Sequence, residues 1–266
     1  MLNLRPLHGG DINQVYFLDT DQGNFVLKTN DSSEFPNMFE AEARGLQLLK
    51  NTQTFRIPEV VSHGETEGQA FLLMEYIAPG PEKTNYATDF GHTLAQLHQH
   101  TAPVFGLDHN NYIGSLLQYN NSNTSAAEFY IENRLQPQLK LATEKGYVFH
   151  KLDGFYDNLQ QEIPNEPPAL LHGDLWNGNS LTDANGTPCL IDPAVCFASR
   201  EMDLAMMQLF GGFSNEVFNA YNEAFPLEKK WKTRTDLWQL YYLLVHLNLF
   251  GSSYFNLVNN VLKKYS

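Results

Sequence analysis

Cysteine is nearly absent: Cys189 and Cys196 are the two in 266 residues. That excludes a disulfide framework, and no zinc-type Cys/His spacing accompanies the pair. Cations are also scarce, 17 Lys and Arg against 30 Asp and Glu, for a formal charge of −13. Nucleic acids and anionic membranes are bound by clustered Lys and Arg, so neither partner is expected. An anionic nucleotide is still compatible, because bound Mg²⁺ reverses the local sign. No apolar run is long enough to cross a bilayer. The most apolar stretch, "LWQLYYLLVHLNLF" from Leu237 to Phe250, is interrupted by Gln239, His246 and Asn248 and reads as a buried helix. The opening "MLNLRPLHGGD" lacks the apolar centre of a signal peptide, so a reduced, cytoplasmic setting is expected. Against these absences stands an ordinary globular composition, 42% hydrophobic and 18% charged, long enough for one bilobed unit or two small domains.

The first third reads as strands. "QVYFLDT" and "NFVLKTN" flank the turn-type cluster "DQGN" and predict a hairpin. "NMFEAEARGLQLLKN" carries Met38, Phe39, Ala43, Leu46 and Leu49 near helical spacing. "IPEVVSHGE" and "QAFLLMEYI" form a second strand pair. The Pro- and Gly-dense "APGPE", residues 78–82, marks a boundary. Beyond it the pattern is helical: "ATDFGHTLAQLHQH", "SAAEFYIENRLQPQLKLATEKG", "YDNLQQEI" and the C-terminal run, broken by one β patch from Leu170 to Ile191. The expected fold class is α+β, with a small β-rich N-lobe over residues 1–77 and a larger helical C-lobe over 78–266, the two enclosing a cleft.

"LLHGDLWNGN", Leu170 to Asn179, places Asp174 and Asn179 five positions apart directly after an apolar strand. Asn185-Gly186 then signals a hairpin that returns Asp192 to the side of Asn179. Mg²⁺ takes oxygen ligands, commonly one or two carboxylates plus substrate phosphates. A separate carboxylate can orient an attacking hydroxyl and accept its proton. The Asp–x₄–Asn spacing followed by a later Asp is the phosphoryl-transfer template of protein kinases. Asp174 is therefore the candidate base, with Asn179 and Asp192 as candidate Mg²⁺ ligands. Single Asp and Asn residues often do no more than decorate turns; the agreement of strand, spacing, hairpin and second Asp favours chemistry.

The same template needs a strand lysine, held by a helix glutamate, to reach the nucleotide phosphates. Lys28 ends the strand "FVLKTN"; Glu42 in "FEAEARGL" is the chosen partner and Glu40 the alternative. Gly9 and Gly10 in "LHGGDINQ" offer close backbone approach to phosphates. The backbone at Glu75, Tyr76 and Ile77, where "LLMEYI" meets the boundary, is placed to pair with adenine.

"HGDLWNGN", "LIDPAVCFASREMDLAM", "GGDINQVY", "LKTN", "MFEAEARGL", "LLMEYI", "LAQLH" and "FGLDHNNYIGSLLQYN" together resemble the fructosamine kinase (ketosamine kinase) family, within the aminoglycoside-phosphotransferase-like kinases. The resemblance spans almost the whole chain. It implies a protein-kinase-like fold and ATP-dependent phosphorylation of O3 of a small-molecule ketosamine or glycated amine, such as a fructosamine or ribulosamine, in a deglycation role. It also draws Trp176, Arg200 and Glu201 toward the substrate, although Trp176 can pack the loop instead and Arg200 and Glu201 can pair within the lobe. Asp203 reads as a helix cap or anchor, His98 as a satisfied structural histidine, and Tyr241 and Tyr242 as core. An aminoglycoside or choline acceptor keeps the same chemistry. A nucleotide-binding pseudokinase is opposed by the presence of Lys28, Asp174, Asn179 and Asp192 together.

Overall fold

The computed structural model describes residues 3–7 and 12–266. Gly9 and Gly10 lie outside them. Five antiparallel strands form the N-terminal sheet: β1 (Asn3–Pro6), β2 (Gln14–Thr20), β3 (Gly23–Asp31), β4 (Val60–Thr66) and β5 (Gln69–Glu75), in the spatial order β1-β2-β3-β5-β4. The expected hairpin closes with Thr20 opposite Gly23, leaving Asp21-Gln22 as its turn. The edge strand β1 lacks any alternating pattern and was not expected from the sequence. Helix α1 (Met38–Asn51) buries Met38, Phe39, Ala43, Leu46 and Leu49, the five residues whose spacing foretold it.

Helix α2 (Tyr86–His98) opens the helical part, followed by the short hairpin β6 (Asn111–Ile113) and β7 (Leu116–Gln118). The long helical pattern of "SAAEFYIENRLQPQLKLATEKG" is split. Helix α3 (Ala126–Phe129) passes through a π-helical stretch, Tyr130–Leu135, into α4 (Gln136–Glu144). Pro137 has no N–H to give the Asn133 carbonyl four residues back, and Arg134 Nη1 donates to that carbonyl instead, at 3.1 Å. Helix α5 (Leu152–Glu162) leads into the β patch. There β8 (Ala169–Leu171) pairs with β11 (Cys196–Ala198), and β9 (Ser180–Thr182) with β10 (Pro188–Leu190). Helices α6 (Glu201–Leu209), α7 (Asn215–Ala224), α8 (Trp231–Phe250) and α9 (Phe255–Lys264) complete the chain. The 20-residue α8 contains the apolar run and is buried along most of its length. No helix among the described residues is long and apolar enough to cross a membrane.

Two apolar clusters make the core. One lies wholly in the helical part, around Tyr130, Trp238, Tyr241 and Tyr242. The other is shared: Leu46, Leu49, Leu72 and Met74 from the sheet side pack with Phe90, Leu94, Leu170, Leu190 and Leu204 from the helical side. Backbone bonds reinforce the junction, Leu190 N donating to Arg56 O at 3.0 Å and Gly80 N to Thr182 O at 2.9 Å.

Candidate active site

The loop after β8 carries Asp174 and Asn179 and is anchored by α6. Asp203, fully buried on α6, accepts the backbone N–H groups of His172 at 2.8 Å and Gly173 at 2.9 Å. His98 Nε2 lies 3.3 Å from the same carboxylate, and its Nδ1 lies 2.9 Å from the Tyr221 hydroxyl. Asp203 thus caps the turn of a loop rather than only its own helix. Gly173 has φ +85°, and a Cβ there would sit 2.0 Å from the Ala194 carbonyl, so only glycine lets the loop lie this close to the segment after Asp192. His172 receives the Asp174 N–H on Nδ1 at 3.3 Å and faces the Ile191 carbonyl with Nε2 at 2.9 Å. These partners require the neutral Nε2–H tautomer, and burial lowers its pKa accordingly. This histidine therefore fixes geometry and holds its proton.

The hairpin does what its Asn-Gly turn suggested. Asp183 and Gly186 close it, and Ile191 N donates to Asn179 O at 3.1 Å, so Asp192 returns beside Asn179. Asn179 Nδ2 donates to the Asp174 backbone carbonyl at 2.9 Å and to its carboxylate at 3.1 Å. Its Oδ1 has no hydrogen-bond partner among the described residues, and Asn179 lines the cavity described below. Asp192 has φ +54°, an unusual backbone state for a residue with a side chain. Its carboxylate is 2.5 Å from Lys28 Nζ, and Glu42 is 2.7 Å from the same nitrogen. Glu42, not Glu40, is therefore the lysine's helix partner. Burial alone would lower the Lys28 pKa; Asp192 and then Glu42 reverse this and raise it well above the usual lysine value, keeping the ammonium charged.

Asp174 is half-buried, and that burial pushes its pKa up to about 7. The Asn179 hydrogen bond works against the rise, while the nearby Asp192 and Asp203 carboxylates add to it. A carboxylate titrating near neutrality suits a general base. Lys28, Glu42, Asp174, Asn179 and Asp192 line one cavity of about 500 Å³. The donor set fits Mg²⁺ bound partly through phosphates: one carboxylate oxygen and one amide oxygen, with no cluster of three His, Cys, Asp or Glu among the described residues to make a full protein cage.

Trp176, 40% exposed, lines this cavity and a second one of about 580 Å³ that also reaches Asp174. A Cβ at Gly178 would meet the Trp176 ring at 2.3 Å, so the glycine seats the indole. The expectation for Arg200 and Glu201 is corrected. Arg200 is buried against the Glu166 carboxylate and the carbonyls of Phe225 and Pro226. Glu201 accepts Arg234 Nε at 3.0 Å and Trp238 Nε1 at 2.8 Å. Neither lines either cavity; both charges are satisfied inside the helical part. At the junction, Glu75 N–H is taken by Glu59 O at 2.8 Å and Tyr76 N–H by Asn24 O at 3.2 Å. Ile77 N–H has no hydrogen-bond partner among the described residues, and none of these three residues lines the cavity described above.

Residues without a sequence signal also contribute. Asn111 Nδ2 donates to Val195 O at 2.8 Å and Gln118 Nε2 to Ala194 O at 3.0 Å, pinning the segment between Asp192 and β11. Tyr242, read as core, is indeed fully buried, yet its hydroxyl donates to the Gly173 carbonyl at 3.1 Å. Phe210, His246, Phe250 and Tyr254 line the second cavity. His246 and Phe250 come there from one face of α8, Phe210 from the end of α6 and Tyr254 from the turn after α8, so no single sequence pattern joins them.

A family model described as fructosamine kinase matches residues 1–266. This chain belongs to the fructosamine kinase family. A probable ketoamine kinase of Enterococcus faecium is 42% identical over 266 residues, covering 98% of this chain and 94% of the relative. The chloroplastic protein-ribulosamine 3-kinase of Arabidopsis thaliana is 37% identical, covering 97% and 80%. Among solved structures, one reported as a fructosamine-3-kinase from Haemophilus somnus superposes with TM-score 0.91 at 31% identity, covering 100% of this chain and 92% of that one. The aminoglycoside phosphotransferase APH(4)-Ia, in a ternary complex with AMP-PNP and hygromycin B, gives TM-score 0.62 at 15% identity over 99% and 94%, a likeness of fold. The family resemblance and the kinase-like α+β fold read from the motifs are thereby borne out.

Proposed function

We propose that this fructosamine-kinase-family chain transfers the γ-phosphoryl group of ATP to O3 of a small-molecule ketosamine, such as a fructosamine or ribulosamine. The division of labour follows a hinge near residue 78, with residues 1–77 holding the nucleotide and 78–266 the acceptor. The observation that carries the reading is the convergence of Lys28, Glu42, Asp174, Asn179 and Asp192 on one cavity. Asp174 receives the acceptor hydroxyl, orients it and takes its proton as the new O–P bond forms and the bond to the ADP oxygen breaks. Lys28, held by Glu42, binds donor phosphates; Asn179 Oδ1 and Asp192 would hold Mg²⁺, whose chemistry is to neutralise charge on the transferring group. Ile77 N–H pairs with the adenine. A cytoplasmic setting accords with two unbridged, buried cysteines.

The test is a coupled assay of ADP release with Mg²⁺ and a panel of acceptors: a fructosyl-amine, a ribulosyl-amine, an aminoglycoside, choline and none. Turnover with a ketosamine alone supports the reading and ranks the sugars. Turnover with choline or the aminoglycoside alone keeps the reaction and discards the deglycation role. Silence with ATP still bound points to a pseudokinase.

A further inference from the structure

The second cavity adjoins the first through Asp174 and Trp176, which line both. Its far wall is Phe210, Val245, Leu249, Phe250 and Tyr254. His246 sits at the centre of an aromatic cluster, with ring centroids 4.7 Å from Phe210, 5.3 Å from Phe250 and 5.2 Å from Tyr254. Its Nδ1 is 2.8 Å from the Tyr242 carbonyl, which fixes Nδ1–H and leaves Nε2 as an acceptor. Trp176, Phe210 and Phe250 are 40%, 42% and 52% exposed, three large apolar side chains left in water around one opening. Such convergence marks a binding surface rather than scattered surface hydrophobics. Among the described lining residues Asp174 is the only charged one, and no Lys or Arg is present.

Resting on the ketosamine reading above, we infer that this cavity is the subsite for the amine carrier, and that it selects an uncharged aliphatic or aromatic group on the ketosamine nitrogen over a carrier with a carboxylate beside that nitrogen. With O3 at Asp174, the polyol and the carrier diverge from the reacting atom. The wall of Phe210, Leu249 and Phe250 offers a polyol no hydrogen bonds and offers an apolar carrier full burial. The secondary ammonium between them meets the indole face of Trp176 and the acceptor nitrogen of His246. An α-carboxylate in the same place loses its water, finds no Lys or Arg among the described lining residues and approaches Asp174. Two sources share the favoured chemistry: a free alkyl- or arylalkylamine, and a lysine side chain carried by a peptide.

The experiment holds the sugar constant and varies the carrier. Fructosyl derivatives of methylamine, phenethylamine, hexylamine, phenylalanine and a blocked lysine peptide are compared by kcat/KM. Phenethylamine and phenylalanine differ by the carboxylate alone. The expected result is a preference of about tenfold or more for phenethylamine over both methylamine and phenylalanine, expressed in KM. In Phe210→Ala and Phe250→Ala the phenethylamine-to-methylamine ratio falls toward one. Hexylamine and the lysine peptide both turning over well shows that the subsite accepts either source; hexylamine alone restricts it to free amines. Equal kcat/KM across carriers, or phenylalanine at least as good as phenethylamine, overturns the carrier subsite and leaves the kinase reading intact. No turnover with any of the series, methylamine included, overturns both.

Discussion

Asp174 carries the sharpest expectations at the scale of single residues. In the role proposed for it, its conjugate base takes the acceptor proton, and kcat/KM is then expected to fall with unit slope below a pH of about 7, the value to which burial raises its pKa. A profile flat from pH 5.5 to 8 refutes the assignment. Asp174→Asn lowers kcat by about 10² to 10⁴ while nucleotide affinity, read by titration, changes little. The stability effect has a definite sign. A carboxyl whose folded pKa is raised disfavours the folded state once the unfolded group ionises, so its cost is absent near pH 3, grows through the acid range and is complete above pH 7. Asp174→Asn therefore raises Tm at pH 8 and loses that gain at the acid end. Asp203→Ala acts oppositely: the His172 and Gly173 N–H groups lose a buried acceptor, at about 1–3 kcal/mol each. Its Tm falls by on the order of 10 °C, and no part of the loss depends on nucleotide. Residue identity alone announced Asp174, Asn179 and Asp192, because their spacing is a property of the chain. The family resemblance drew Arg200 and Glu201 toward the substrate, whereas the alternative of pairing within the lobe is what the structure shows; their partners, Glu166 and Arg234, lie 34 and 33 positions away, beyond the reach of local spacing.

At the scale of elements, the short hairpin β6–β7 is a brace for the segment behind Asp192. Asn111 and Gln118 hold the Val195 and Ala194 carbonyls, and Tyr241 in turn donates to Gln118 Oε1 at 2.8 Å. Asn111→Leu leaves the Val195 carbonyl without this donor, in a segment whose side chains are buried. A fall in kcat of about tenfold is expected, with Asp192-dependent Mg²⁺ activation shifted to higher concentration. An unchanged Mg²⁺ titration would show the hairpin to be structural only. Helices α1 and α8 were legible because hydrophobic periodicity needs no partner to be seen. The strands β1, β6 and β7 were not: three or four residues give too few alternations, and their pairing is decided by what lies opposite. The π-helical turn before Pro137 was equally hidden, although the proline that accompanies it stood in plain view.

For the whole molecule, the boundary at residues 78–82 divides the chain more than it divides the core. Leu46, Leu72 and Met74 share one apolar cluster with Leu94, Leu170 and Leu190. A single cooperative transition is therefore expected in heating experiments without nucleotide. All three tryptophans, Trp176, Trp231 and Trp238, lie in the helical part, so fluorescence reports that part while far-ultraviolet circular dichroism reports the sheet as well. Coincident melting curves are expected; an early circular dichroism transition with intact fluorescence would show an independent N-terminal sheet. The shared core has a further consequence for reach. A cleft whose two walls are joined by packed leucines cannot gape without tearing its own interior. On the ketosamine reading proposed above, an adduct borne by a folded protein would reach such a cleft only where its side chain protrudes, whereas a small free adduct would enter whole.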